Sequence, residues 1–437
     1  MNILASLKRL LRKTTLLSMI LSLVFVSVAL AASGDLDTTF SSDGMVETDF
    51  GSNTADGARA VAVQSNGRIV VVGYTGPNNA SDFFIARYNQ NGTLDTSFSG
   101  DGKQTTNFNA NDVAWAVAIQ SDGKIVVSGF ACDVAFSDCS VAIARYHPNG
   151  SLDTTFSGDG KQTAKIGTNK SQSIGGLALQ TDGKIVVAGL TDIGSSIDFA
   201  VFRFNSNGSF DTSFSGDGQL SFGFGNGRSD TATSLALQSD GKIVLGGRSA
   251  DSGNTSMDFA IARVTSTGGL DSTFSGDGKQ MINFGASTFS GANTIAVDGN
   301  GKIVIGGSKK LNSVTVLALA RLNTNGALDA TFNGSGKVIV NLPGPTDIAH
   351  KLLFDGTKIV VAGETRPASV DFALLRFNAN GSLDTSFSGD GIVTVNFGST
   401  AYDQAWGLAI DSNGRYVLAG NTGNPSDYDF GLMRVLP

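Results

Sequence analysis

Residues 149–161 read NGSLDTTFSGDGK, and variants of this stretch recur along the whole chain. The motif centres on LD(T/S/A)(S/T)F, with Phe210 replacing the Leu in one copy. Its acid is Asp37, Asp95, Asp153, Asp211, Asp271, Asp329 and Asp384 in turn. A short apolar run ending in arginine supplies a second signature, at Arg87, Arg145, Arg203, Arg263, Arg321, Arg376 and Arg434. Each of the first six arginines stands eight residues before a motif acid, whereas Arg434 has no acid after it and Asp37 has no arginine before it. The unpaired members lie at opposite ends, as expected of a ring cut open inside one repeat. The expected role of each Arg–Asp pair is a structural tie, since guanidinium matches carboxylate in a two-pronged geometry. A repeated ligand site is the functional alternative. The motif phenylalanines (Phe40, Phe98, Phe156, Phe214, Phe274, Phe332, Phe387) are expected to pack between repeats.

Working outward, each repeat reads as four short strands. In one copy, Trp115–Gln120 is an apolar run, and Ser121-Asp122-Gly123 is an Asp-Gly hairpin turn. Lys124–Gly129 is rich in β-branched residues, Ser140–Tyr146 is a third strand, and Lys161–Ile166 a fourth. These runs are too short and too closely punctuated for helices. Four antiparallel strands repeated seven times predict an all-β, seven-bladed β-propeller. Face-to-face packing around an axis buries sheet faces that one four-stranded sheet leaves open. Sandwich domains need about 100 residues each, too many for this repeat, and an open stack would want polar caps at its ends. The N-terminal strand, Met45–Phe50, should complete the last blade, which ends with its third strand, Asp429–Val435. Glycine, at 56 of 437 residues, exceeds the usual share of about 7% and falls mainly in turns.

The recurring phrases G(S/T)LDTSFSGDGK, A(V/L)A(I/L)Q(S/T)DGKIVV(A/S)G and DFA(I/L)(A/L)R resemble the delta-60 repeat family of bacterial exported and surface proteins. The resemblance covers essentially residues 32–437. It implies a β-propeller, a bacterial origin and no established activity, and it carries over no catalytic residue. Departures are local: Ile166 ends a strand where other copies have Phe, Asn333-Gly334-Ser335-Gly336 replaces SGDG, and Gly356-Thr357-Lys358 replaces DGK.

Residues 1–31 read as a secretory leader. Lys8, Arg9, Arg12 and Lys13 form its basic part, Leu16–Leu30 its apolar part, and Ala29-Leu30-Ala31 its cleavage site. The apolar run is shorter than the roughly 20 residues a membrane span needs, and no Cys follows it to carry a lipid. Removing 31 residues leaves 406, or 58 for each of seven repeats. The leader holds four cations and no acid, so the formal charge moves from −7 to −11. An acidic chain without a basic stripe argues against nucleic acid and anionic membranes as partners. The protein is expected to be secreted, extracellular or periplasmic, and monomeric. Cys132 and Cys139 flank one short loop, where a disulfide would close a hairpin in an oxidising compartment; a free pair is the alternative.

Candidate sites are sparse. Only His147 and His350 occur, in different repeats, which argues against a histidine zinc site or a Ser-His-Asp triad. The SGDG stretches could supply calcium oxygens but lack EF-hand spacing, so turns are expected there. Asn91, Asn149, Asn207 and Asn380 match a glycosylation sequon but read better as Asn-Gly turns. The two connections that vary in length between repeats fall on one face. Variable loops on a rigid frame are where binding usually sits. Just before the innermost strands, Asp56, Asp112, Asp230 and Asp403 take equivalent positions and should converge on the channel mouth as an acidic ring, or else cap turns. Trp115 and Trp406, three residues on, are expected to pack. Lys309, Lys310, Arg228, Arg248 and Arg366 also fall in the variable loops, without a pattern. The functional expectation is a non-enzymatic scaffold binding a glycan, peptide or surface protein, without a cofactor. A carboxylate-dependent hydrolase or lyase at the channel mouth, or a purely structural surface module, are the alternatives.

Overall fold

The computed structural model describes residues 31–437 apart from 52–54, 78–79, 168–169, 226, 254, 286–288, 368, 399–401 and 425–426. The leader at 1–31 therefore lies outside the described residues, Ala31 excepted. Residues Ser33–Pro437 make one compact unit. Among the described residues there are 28 strands and no helix, hence none long and apolar enough to cross a membrane.

Consecutive strands pair antiparallel into four-stranded sheets, and two such sets share one parallel contact, Ile197 with Ser229. One sheet serves as the pattern: Asn111–Ile119, Ile125–Cys132, Cys139–Tyr146 and Lys161–Ala164. The first turn follows its Asp-Gly chemistry. Gly123 has φ +83°, and the Asp122 carboxylate accepts the Lys124 amide at 3.1 Å. Cys132 and Cys139 face each other across the second and third strands and are bonded. The first strand starts four residues before the apolar run, because Asn111 and Asp112 continue the ladder with Cys132 and Ala131.

The core lies between successive sheets. Val70, Val72, Phe83 and Ile85 of one sheet pack on Ile125, Val127, Ala142 and Ala144 of the next, with Phe98 between them. All seven motif phenylalanines are fully buried, each stabilising by about 2 kcal/mol. The last sheet packs on the first in the same way, Val417, Ala419, Phe430 and Leu432 against Ala58, Ile69, Val71 and Phe84. Met45–Thr48 pairs antiparallel with the final strand, Met45 opposite Met433 and Thr48 opposite Phe430.

The seven Arg–Asp pairs are buried in the connections. Arginine Nε meets the carboxylate at 2.7 Å in Arg87–Asp95 and Arg434–Asp37 and at 2.8 Å in Arg145–Asp153. The other carboxylate oxygen takes the amide and hydroxyl of the residue two on, as Ser97 does to Asp95 at 3.1 and 2.6 Å. The guanidinium lies over the motif ring, 4.7 Å from Phe98 in the first case. It also donates across to the next repeat: Arg87 to the Pro148 carbonyl, and Arg434 to the Gln90 carbonyl at 2.6 Å. Burial alone would raise these carboxyls. The hydroxyl and amide two residues on, and the arginine charge, hold them below the ordinary range, Asp153 at about 2.

Two outcomes are expected. Deleting residues 33–50 removes Asp37 and a paired strand, so the whole fold should melt at a lower temperature by circular dichroism. An unchanged melt would show those residues to be dispensable. Arg263→Met leaves the buried Asp271 carboxylate with Lys242, at 3.6 Å, as its remaining cation and should cost about 3 kcal/mol in denaturant unfolding.

Candidate functional site

Every first strand carries a β-bulge near its middle. The ladder slips between Ala58 and Ala60, Ala114 and Ala116, Ala232 and Ser234, Ala292 and Thr294, Ala349 and Lys351, and Ala405 and Gly407. Another slip lies between Gln172 and Gly176. A bulge leaves one residue unpaired and re-aims its side chain. Glycine on the second strand makes room for it: a Cβ on Gly129 would lie 1.9 Å from the Val113 carbonyl oxygen, and one on Gly363 1.9 Å from that of Ile348. The single-residue bulges hold Arg59, Trp115, Thr233, Asn293, His350 and Trp406, and all six line one cavity of about 430 Å³.

Within it, the Arg59 guanidinium carbon lies 5.0 Å from the Trp115 ring centre and 4.8 Å from that of Trp406. The two indoles meet edge-on at 5.7 Å, and the His350 ring lies 3.9 Å from that of Trp406. Arg59 donates to Asn421 at 2.9 Å. His350 Nε2 faces the buried Glu364 carboxylate at 3.3 Å, and Gln404 donates to the same oxygen. Burial would raise Glu364, yet the hydrogen bond and charge of His350, with Gln404, keep it below the ordinary carboxylate value. Burial lowers Arg59, Arg248 and Lys351. A second cavity of about 320 Å³ shares Arg248, Asn293, His350 and Trp406 and reaches Phe289, Lys310 and Thr315. It leads toward the variable connections.

Of the two readings of the four aspartates, the turn cap is the one seen, and they form no acidic ring at the cavity. Asp56, Asp112, Asp230 and Asp403 are fully buried and turn back onto the preceding loop. Their carboxylates accept the amides of Phe50 at 3.0 Å, Phe108 at 2.6 Å, Phe224 at 2.7 Å and Phe397 at 2.7 Å. Asp347 does the same for Leu342 at 2.8 Å. A short side chain beside unpaired loop amides satisfies them instead of reaching the axis. Trp115 and Trp406 line the cavity as well as pack. Of the variable-loop cations, Arg248 lines it, Lys309 binds the Phe284 carbonyl at 2.7 Å, Arg228 binds Ser249, and Arg366 lies over Tyr402. In the SGDG stretches the acid caps a turn, Asp101 accepting the Lys103 amide at 2.9 Å. The Asn-Gly sequences are turns too, Asn149 accepting the Ser151 amide at 3.1 Å. Among the described residues one acidic trio, Asp49, Asp56 and Asp429, places oxygens within 4.8 Å of one another, away from those stretches.

Arg59, Asn293, His350 and Lys351 escaped the sequence reading as site residues. Their signal is divergence: five residues before the Gln or Asp at the hairpin turn after each first strand stand Arg59, Trp115, Gly175, Thr233, Asn293, His350 and Trp406, amid otherwise repeating text.

A model of a β-propeller domain of unknown function (DUF5122) matches the chain six times, over residues 64–98, 120–156, 180–214, 238–274, 299–332 and 358–387. The repeats are thus of a β-propeller kind. No curated protein is similar to the chain. Similar solved structures include a protein of unknown function from Dyadobacter fermentans DSM 18053, at 11% identity and TM-score 0.49 over 90% of this chain and 98% of that one. The polysaccharide lyase Uly1 follows at 13% and 0.48, over 86% and 89%. The α-L-arabinofuranosidase Arb93A from Fusarium graminearum stands at 10% and 0.46, over 74% and 92%.

The buried Asp403 makes a pH prediction. Burial pushes its carboxyl up to about 6, against the opposing pull of the Phe397 amide and Thr422 hydroxyl. The folded state therefore holds this proton more tightly than the unfolded chain. Its contribution to stability is fullest near pH 4 and is lost as pH rises through about 6. The melting difference between wild type and Asp403→Asn should favour wild type more at pH 4 than at pH 7, and a difference independent of pH would contradict the assignment.

Proposed function

We propose that this chain is an exported, monomeric, non-enzymatic β-propeller of seven blades that binds a glycan, peptide or surface partner through its variable-loop face. In this reading the ring closes where Met45–Thr48 pairs with the last strand and the last sheet packs on the first, and the repeats are of the delta-60 kind. The observation that carries the functional part is the contrast between frame and lining. Turns, ion pairs and packing phenylalanines repeat, whereas the bulge residues at the cavity change from one repeat to the next. Such a cavity is of ligand-binding size. Above it, the variable loops expose Val134 at 64% and Phe136 at 44%, together with Ile193, Phe289, Leu311 and Tyr402. Exposed apolar side chains gathered on one face suit a binding surface.

A hydrolase or lyase working through carboxylates at the mouth is the second reading. It draws little support, because the four aspartates are committed to loop amides and no carboxylate lines the cavity among the described residues. For the same reason replacing those aspartates would report on folding. The better probe is the cavity wall.

A thermal-shift screen of residues 32–437 against polysaccharides, peptides and divalent ions tests the proposal. A ligand at 100 times its dissociation constant adds about 2.7 kcal/mol, and the shift should vanish in Trp406→Ala. A shift that survives Trp406→Ala would move the site elsewhere, and a flat screen would favour a purely structural module.

A further inference from the structure

Among the described residues the charged side chains lining the central cavity, Arg59, Arg248 and Lys351, are all cations, and several polar atoms of the lining side chains go unpartnered. Buried Arg59 Nε, Trp115 Nε1, Trp406 Nε1 and His350 Nδ1 lack a hydrogen-bond partner. Buried polar atoms are almost always satisfied, so a cluster of orphans asks for an absent partner. Beside them lie Lys351 and Arg248, which also line the cavity. Among the described residues neither side chain makes a hydrogen bond or an ion pair. The seven motif arginines are each matched with an acid, and buried Lys309 with a carbonyl, so these two stand apart.

Lys351 is conspicuous for a second reason. The residue after each bulge is Ala60, Ala116, Gly176, Ser234, Thr294, Lys351 or Gly407. Six are small, which keeps the cavity open, and one is a lysine reaching into the space the others leave. Lys351 is half-buried, and desolvation lowers its pKa with no acid offsetting it; removing a charge from water without a partner is costly. Glu364, the nearest carboxylate to His350, is already occupied by His350 and Gln404 and does not line the cavity. The chain as a whole is acidic, with a formal charge of −7, so the cationic lining is local to this one place.

From the unmatched donors and the aromatic walls together, we infer that the cavity binds a small organic oxyanion, a carboxylate or sulfate carried on a ring. Lys351 and Arg248 take the charged head, the orphaned indole N–H groups supply further donors, and the Trp115 and Trp406 faces hold the body. Charge-assisted hydrogen bonds are stronger than neutral ones, and a site built of donors rejects an uncharged analogue that offers too few acceptors. This inference rests on the binding-scaffold reading and narrows it to a ligand class.

The chain contains two tryptophans, and both line the cavity, so intrinsic tryptophan emission reports its occupancy directly. The experiment titrates residues 32–437 with glucuronate, benzoate and phenyl sulfate, and with glucose and benzyl alcohol as uncharged counterparts. At least one anion should give a saturable change that weakens with added salt. The uncharged pair should give none. Lys351→Met should weaken that anion tenfold or more, while the ligand-free protein melts at the same or a higher temperature, since a partly desolvated ammonium without an acid partner has been removed. A carboxylate response without a sulfate response, or the reverse, identifies the head group. Anions that fail to saturate, or that bind Lys351→Met equally well, overturn the inference. If uncharged ligands bind instead and lose binding in Trp406→Ala, the scaffold reading survives and the oxyanion class falls. If neither these probes nor the polysaccharide and peptide panel binds, both fall together.

Discussion

A buried arginine and a buried aspartate eight residues apart hold each repeat to the next, and most of the architecture follows from how completely that pair is satisfied. Taking both charges out of water costs several kcal/mol for each ion unless every lone pair and proton finds a partner. Here the carboxylate takes the arginine on one oxygen and an amide and hydroxyl on the other. The guanidinium covers a buried phenylalanine and donates to a carbonyl in the following repeat. One interaction therefore joins a third strand, the connection after it, the core and the neighbouring sheet. In Arg434 and Asp37 the same geometry spans 397 residues, so it does not depend on the partners being near in sequence.

A second constraint separates frame from site. In six of the second strands a glycine near the middle lets a carbonyl of the first strand come within 2 Å of where a Cβ would stand. The resulting bulge turns one side chain toward the cavity, and that side chain can vary because it lies outside the ladder, although Thr233 and Asn293 donate to carbonyls of the next sheet. Repetition elsewhere and variation here have one cause: residues that hold the sheets together are restricted by packing, whereas residues at the bulge face open space. The same logic explains the electrostatics. Frame charges come matched, while the cavity holds Arg59, Arg248 and Lys351 with no lining carboxylate among the described residues.

Much of the fold was legible in the chain. Asp-Gly turns, β-branched runs and the Arg–Asp spacing act over a few residues, so Ile125–Cys132 and Cys139–Tyr146 lie where the text places them. Strand starts were less legible: Asn111 and Asp112 look like loop, and join the first strand because the bulge at Trp115 carries the ladder past them. The aspartates before the first strands were located rightly, and of the two orientations left open they take the turn cap and not the ring. Nothing in their spacing tells a carboxylate aimed at the axis from one folded onto its own loop amides; that depends on where the loop backbone runs.

The sequence by itself determined the repeating antiparallel sheets, the motif residues that tie them and the face on which connections vary, because each is written in short-range turn chemistry and strand periodicity. Only the tertiary structure decided that Arg59, Trp115, His350, Lys351 and Trp406 share one cavity. Those residues come from strands dozens to hundreds of positions apart, and a one-residue bulge, invisible to a period of two, sets which of them face inward.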